Sequence, residues 1–150
     1  MKIWNYRCYV DDRGNNPVLT WLSALSKKAQ ANFKRNLEII ECLEIADWHK
    51  PSPTSYVNNH IYVIRFKDEN RTQWRIYGHH NIEKKVFVLS FYGFEKGNRY
   101  EPSVEQCVNV GSNRMEQCIA DWDTRTCSCL STSHKKPTTS SDCEQVRLVR

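Results

Sequence analysis

The chain has 150 residues, of which 26% are charged and 39% apolar, and carries a formal net charge of +5. That length suits one domain with a real core and leaves room for an appendage, and the balance is ordinary for a soluble globular protein. No apolar run approaches the roughly 18–20 residues that span a bilayer, which argues against a transmembrane helix and against a membrane partner.

The first ten residues, MKIWNYRCYV, lack an uninterrupted apolar core and a small-residue cleavage site, so no signal peptide is expected. Seven cysteines without a secretion signal then point to reduced thiols in a cytoplasmic protein rather than to a disulfide framework, and the odd count leaves at least one thiol unpaired. The positive charge is unevenly spread. Residues 61–100 carry Arg65, Lys67, Arg71, Arg75, Lys84, Lys85, Lys96 and Arg99 against Asp68, Glu69, Glu83 and Glu95. Such a surplus favours an anionic partner such as nucleic acid, although inert surfaces carry similar ones.

In chain order, residues 2–10 alternate, with Trp4, Tyr6, Cys8 and Val10 on one side, and predict a first strand. Asp11 to Asn15 form a turn. Asn16 and Pro17 open a helix, Asn as N-cap and Pro at the first helical position, with Val18, Trp21, Leu22 and Leu25 as its stripe. A second helix starts near Ser26, where Ala29, Phe33, Leu37, Ile40 and Leu43 recur at helical spacing. Lys27, Lys28, Lys34 and Arg35 lie on its other face, either as a solvated surface or as a phosphate-facing patch. Asp47 to Asn59, with two prolines and much Ser, Thr and Asn, predict a loop.

The stretch from His60 to Tyr100 is the centre of the chain. Three apolar runs, within 61–66, 74–79 and 86–91, are separated by short polar connectors of hairpin length and predict an antiparallel three-stranded meander. Arg75, Tyr77 and His79 sit two apart and emerge from one strand face. A basic turn, Gly93 to Tyr100, leads to a helix opened by Pro102-Ser103. Val104, Val108, Met115, Ile119 and Trp122 mark that helix, and Gly111 either weakens it or ends a first segment. From Thr124 onward the composition turns to Ser, Thr, Lys, Pro and Cys. The expected organisation is therefore a domain over 1–123 and a poorly ordered tail over 124–150.

Phosphate-loop, dinucleotide-fold and zinc-protease signatures are absent from the sequence. Cys118, Cys127, Cys129, His134 and Cys143 could ligate zinc, but their spacing is tight and their surroundings are tail-like; free thiols are the alternative, and neither metal nor cofactor is expected. Cys8 and Cys42 fall in apolar patterns and are read as core. Adjacent His79 and His80 suit acid–base work near neutral pH, or else one is packed and the other solvated.

Metal-free RNA cleavage would use this combination. The 2′-hydroxyl attacks its own 3′-phosphate, cations stabilise the phosphorane, and side chains carry the protons. Arg65, Arg75, Lys96 and Arg99 supply charge, and His79, Tyr92 or Tyr100 could move protons. The alternative for Arg65 and Arg75 is structural pairing with Glu69 or Glu83.

Three motifs follow in order: Ile64-Arg65; Trp74-Arg75-Ile76-Tyr77; and Leu89-Ser90-Phe91-Tyr92-Gly93-Phe94-Glu95-Lys96. Together with the preceding strand, two helices and loop, they resemble the "elR", "yRi.Y" and "illhgF.KK" strands of the RelE/ParE toxin superfamily, most closely its HigB-like, phage-derived branch. The resemblance implies a RelE-like α+β fold: an N-terminal strand and two helices, the meander, and a C-terminal helix. It implies a toxin of a type II toxin–antitoxin system that cuts mRNA in the ribosomal A site and is silenced by a cognate antitoxin. By position the resemblance implies Arg75 at the scissile phosphate, added charge from Arg65 and Lys96, and Arg99 or Tyr100 near the C-terminal catalytic residues. Taken with the strand face and charge above, catalysis is expected from Arg75, Lys96, His79 and Tyr100, and RNA binding from Arg65, Lys67, Tyr77, Arg99, Lys84 and Lys85. Two alternatives stand beside it: a ParE-like inhibitor of DNA gyrase, and an inactive RelE-fold binding or regulatory module. The sequence departs from the family pattern at Glu95, where a second basic residue is usual, and in the longer segment after Tyr100.

Overall fold

A computed structural model describes residues 1–50 and 53–128. The chain enters through strand β1 (Asn5–Tyr9), whose Tyr6 and Cys8 continue the core-facing alternation begun by Trp4. Asn16 caps helix α1 (Pro17–Ser23), its side chain accepting from the Leu19 amide at 3.0 Å, and Pro17 takes the position where no donor is needed. Ser26 caps α2 (Lys27–Ile40) in the same way, and Ala29, Phe33, Leu37 and Ile40 form its buried stripe. Lys27, Lys28, Lys34 and Arg35 are all exposed.

The segment expected to be a loop holds the end of the short helix α3 (Ile45–Trp48), which buries Trp48, and strand β2 (Thr54–Asn58). Only Thr54 of β2 is buried. The strand lies at the edge of the sheet and is held by backbone pairing, which leaves almost no mark on composition. Next comes the meander, β3 (Ile61–Lys67), β4 (Gln73–Asn81) and β5 (Val86–Lys96), antiparallel throughout as expected. The residues expected to form a basic turn instead extend β5 to Lys96. The chain reverses at Gly97, whose φ of +63° favours glycine, and returns as β6 (Arg99–Glu101).

Ser103 caps α4 (Val104–Ala120), which passes through Gly111 unbroken. A methyl group on Gly111 would meet Ile61 Cδ1 at 3.4 Å, so the glycine lets the helix lie close on the sheet. Ile119, placed on the apolar stripe by spacing, is exposed. Thr124 to Cys127, assigned above to the tail, supply the end of α5 (Trp122–Arg125) and strand β7 (Thr126–Cys127), which pairs with β1. Cys129, His134 and Cys143 lie outside the described residues.

The result is an α+β architecture around one mostly antiparallel sheet of order β2–β3–β4–β5–β1–β7, with β6 hairpinned onto β5 and β1 parallel to β5. The main core lies between one sheet face and the N-terminal helices; it contains Trp4, Phe33, Trp48, Ile64, Phe66 and Leu89. On the other face α4 covers Ile61, Val63 and Tyr77 with Cys107 and Val108. Each fully buried large apolar side chain contributes about 1.5–3 kcal/mol of transfer free energy. Cys42 is buried and disulfide-bonded, against the expectation of reduced thiols, while Cys107, Cys118 and Cys127 are free. Among the described residues no helix is long and apolar enough to cross a membrane.

One irregularity controls everything downstream of it. The β4–β5 ladder pairs Asn81 with Val86 and continues regularly to Gly78 with Leu89, but Tyr77 then pairs with Phe91. Ser90 is the extra residue of a bulge, and Arg114 of α4 donates to its carbonyl at 2.7 Å. Because side chains alternate with period two, one inserted residue exchanges the faces of everything beyond it.

Candidate functional site

Arg65 of β3 and Arg75 of β4 stand directly opposite each other, and Gly93 of β5 completes the row. Like charges in register repel, so this pair needs compensation. Glu95 supplies it, not Glu69 or Glu83. Its Oε2 accepts from Arg75 Nη2 at 2.6 Å and from Gln73 Nε2 at 3.2 Å. Tyr100 of β6 pairs with Glu95 across the hairpin and lays its ring 4.5 Å from the Arg75 guanidinium carbon. Arg65 donates to Ser55 Oγ of β2 at 2.8 Å.

Two guanidinium groups are thus set against one carboxylate. The Arg75 side chain is 9% exposed and that of Glu95 22%. Burial and then the neighbouring Arg75 lower the pKa of Arg65. Burial also pulls on Arg75, but hydrogen bonds and charge from Tyr77 and Glu95 outweigh it, and its pKa is raised. Burial would raise Glu95; the hydrogen bonds from Arg75 and Tyr100, with the charges of Arg75 and Arg65, hold it below the usual carboxylate range. Arg75 Nε is buried with no partner among the described residues. The cluster therefore keeps a donor and a net positive charge unspent, which is the requirement for binding an oxyanion through a planar fork.

The remaining residues expected at the site are placed as follows. Tyr77 lies beside Arg75 and Cys107, 1% exposed, and burial pushes its pKa up to about 12, which removes it as a base near neutral pH. His79 is 4% exposed beneath α4, and burial alone lowers it to about 4. It stays neutral at pH 7 without access to a substrate, so its proposed acid–base role does not fit this geometry. His80 is packed as well: its ring lies 4.3 Å from Trp48, 4.5 Å from Trp4, 4.7 Å from Tyr62 and 4.8 Å from Phe87. Neither histidine is the solvated one.

Lys67 is exposed at the end of β3, on the strand face of Arg65. Lys96 follows Glu95 and so points from the opposite face, where its charge reaches Asp68 rather than Arg75. Arg99 pairs with Lys96 across the hairpin and forms an ion pair with Glu101. Lys84 and Lys85 lie in the β4–β5 turn, about 20 Å along the strand from Arg75 at ~3.3 Å per residue, and Lys84 sits over the Trp122 ring. Among the described residues no group of His, Cys, Asp and Glu could hold a metal ion.

Sequence reasoning missed Glu95 as the partner of Arg75, and Gln73 as a second donor to Glu95. The signal that could have found them, the number of residues in β5, is readable only if the bulge is known.

No family model, curated protein or solved structure matches this chain. The site must therefore be read from its own chemistry.

Proposed function

We propose that this protein is a RelE/ParE-like toxin that binds RNA phosphate through Arg65 and Arg75 and cleaves mRNA on the ribosome without a metal. The observation that carries the reading is the opposed guanidinium pair with a single carboxylate and an unused buried donor. The motif order in the meander supports it, and an antitoxin would be the natural partner of such a toxin.

The proposed reaction forms a bond from the 2′-oxygen to phosphorus and breaks the bond from phosphorus to the 5′-oxygen, leaving a 2′,3′-cyclic phosphate and a 5′-hydroxyl. Arg65 and Arg75 stabilise the charge on the phosphorane oxygens. With Tyr77 and His79 buried, Glu95 and Tyr100 are the proton-transfer groups beside the guanidinium pair. Glu95 accepts the 2′-hydroxyl proton, and Tyr100 donates one to the leaving oxygen and recovers it from Glu95.

The deciding experiment is expression in bacterial cells followed by mapping of RNA 5′ ends. New ends inside translated messages are expected, and Arg75→Ala should reduce them ~100- to 1,000-fold, the usual effect of deleting a transition-state charge contact. Intact messages with arrested growth would instead favour the gyrase-binding reading.

Glu95→Gln separates a base from a mere competitor for Arg75. The variant should bind RNA at least as tightly as the parent, because one negative charge leaves the site. It should cleave about 100-fold more slowly, within the range for loss of a general base. Faster cleavage would assign Glu95 as a brake on the arginine pair and overturn its role as the base.

A further inference from the structure

Beside the arginine pair, the free edge of β5 between the end of β1 and β6 opens into a groove of about 610 Å³. One wall is aromatic: Trp21 and Tyr92 stack at 4.6 Å and 18°, with Phe94 next to them. The opposite wall carries Tyr100, Ser103 and Gln106. Gly93 lies in its lining, where a methyl group would sit 3.0 Å from the Glu101 carbonyl and 3.2 Å from Pro102 Cδ, so the glycine lets the segment after β6 pack closely on β5.

Tyr100 connects groove and cluster, since the ring that lines the groove also covers the Arg75 guanidinium. We infer that the groove is a nucleobase subsite, in which one base of a single-stranded RNA stacks while its phosphate is held by Arg65 and Arg75. This rests on the RNA-binding reading above and adds the part of the substrate that reading leaves unplaced. Three observations favour a nucleotide. Ring faces accept any base by stacking. The exposed amide of Gln106 offers both a donor and an acceptor to a base edge. The cationic pair lies on the far side of one shared ring, so a single nucleotide can engage both. The acid in the groove, Glu101, is already engaged by Arg99 and adds little repulsion.

The test uses the full chain and fluorescein-labelled 2′-O-methyl trinucleotides, which bind but cannot undergo 2′-hydroxyl attack. Anisotropy titrations compare the intact oligonucleotide with versions made abasic at each position in turn. One abasic position is expected to weaken binding about tenfold, the scale of one base–aromatic stack. Gln106→Trp, an exposed position where an indole would fill the groove, should abolish that difference while leaving the salt dependence set by the phosphates unchanged. Equal affinity for intact and abasic oligonucleotides, with salt-dependent binding retained, would overturn the subsite and leave phosphate binding standing. Absence of binding to any of them at low salt would overturn both. Self-association that disappears in Gln106→Trp, without any preference for intact RNA, would assign the groove to a second copy of the chain and overturn the inference.

Discussion

Gly78→Ala is expected to lower the unfolding free energy by about 3 kcal/mol or more, at or beyond the upper end of ordinary overpacking costs. Gly78 lies beside the bulge, at the last regular pair before Ser90. A methyl group there would sit 2.2 Å from the Val88 carbonyl oxygen and 2.7 Å from a ring carbon of Phe87. The first contact is with backbone in a central strand pair, so relief requires the strands to separate and the ladder to weaken. The second is with a fully buried ring. Urea unfolding measures the cost. Because the bulge sets which side chains of β5 face Arg75, the same variant should also weaken RNA binding even under conditions where it remains folded. An alanine variant as stable as the parent would refute the strand spacing described here.

Lowering the pH from 7 to 5 is expected to remove about 2–4 kcal/mol of stability, through the two buried histidines. Burial lowers His79 to about 4; burial, with smaller contributions from His79 and His49, lowers His80 to about 3. Although His80 keeps some exposed surface, both of its ring nitrogens are inaccessible and unpartnered among the described residues, as is Nδ1 of His79. The unfolded chain protonates these imidazoles near their ordinary value of about 6.5, whereas the folded chain does not until far lower pH. Protons therefore bind the unfolded state preferentially as pH falls through this window. The stability is complete above about 6.5 and is lost progressively below it. Glu95 and Asp68 are held below the usual carboxylate range, so their losses belong to lower pH and do not confuse the measurement. Unfolding free energies at pH 7 and pH 5 test this directly. His80→Phe, which retains an aromatic ring in the same box, should remove about half of the slope. A pH-independent stability would mean that both rings have polar partners in solution.

Periodicity identified much of this molecule because periodicity reports burial of one face. The caps at Asn16 and Ser26, the stripe through Phe33 and Leu37, and the three runs of the meander were all legible in that way. Strand β2 and helix α3 were not. One is a polar edge strand held by its backbone and the other a single turn anchored by Trp48, and neither is long enough to show a period. Gly111 is ambiguous in sequence, since the same residue breaks a helix in water and admits a close neighbour in a packed one; contact with Ile61 selects the second.

The candidate site divides in the same manner. That Arg65 and Arg75 belong to strands of one sheet, and that Arg75, Tyr77 and His79 share a face, follows from residue types and spacing alone. What those residues meet does not. In an unbulged β4–β5 hairpin, Arg75 would lie opposite Tyr92, and Lys96 would share its face. With Ser90 bulged out, Arg75 lies opposite Gly93 and its neighbour is Glu95. The choice between a cation and an anion beside Arg75 therefore rests on one residue of register. That register depends on the close approach at Gly78 and the Arg114 hydrogen bond from a helix on the far side of the sheet, and so on tertiary contacts between segments distant in the chain.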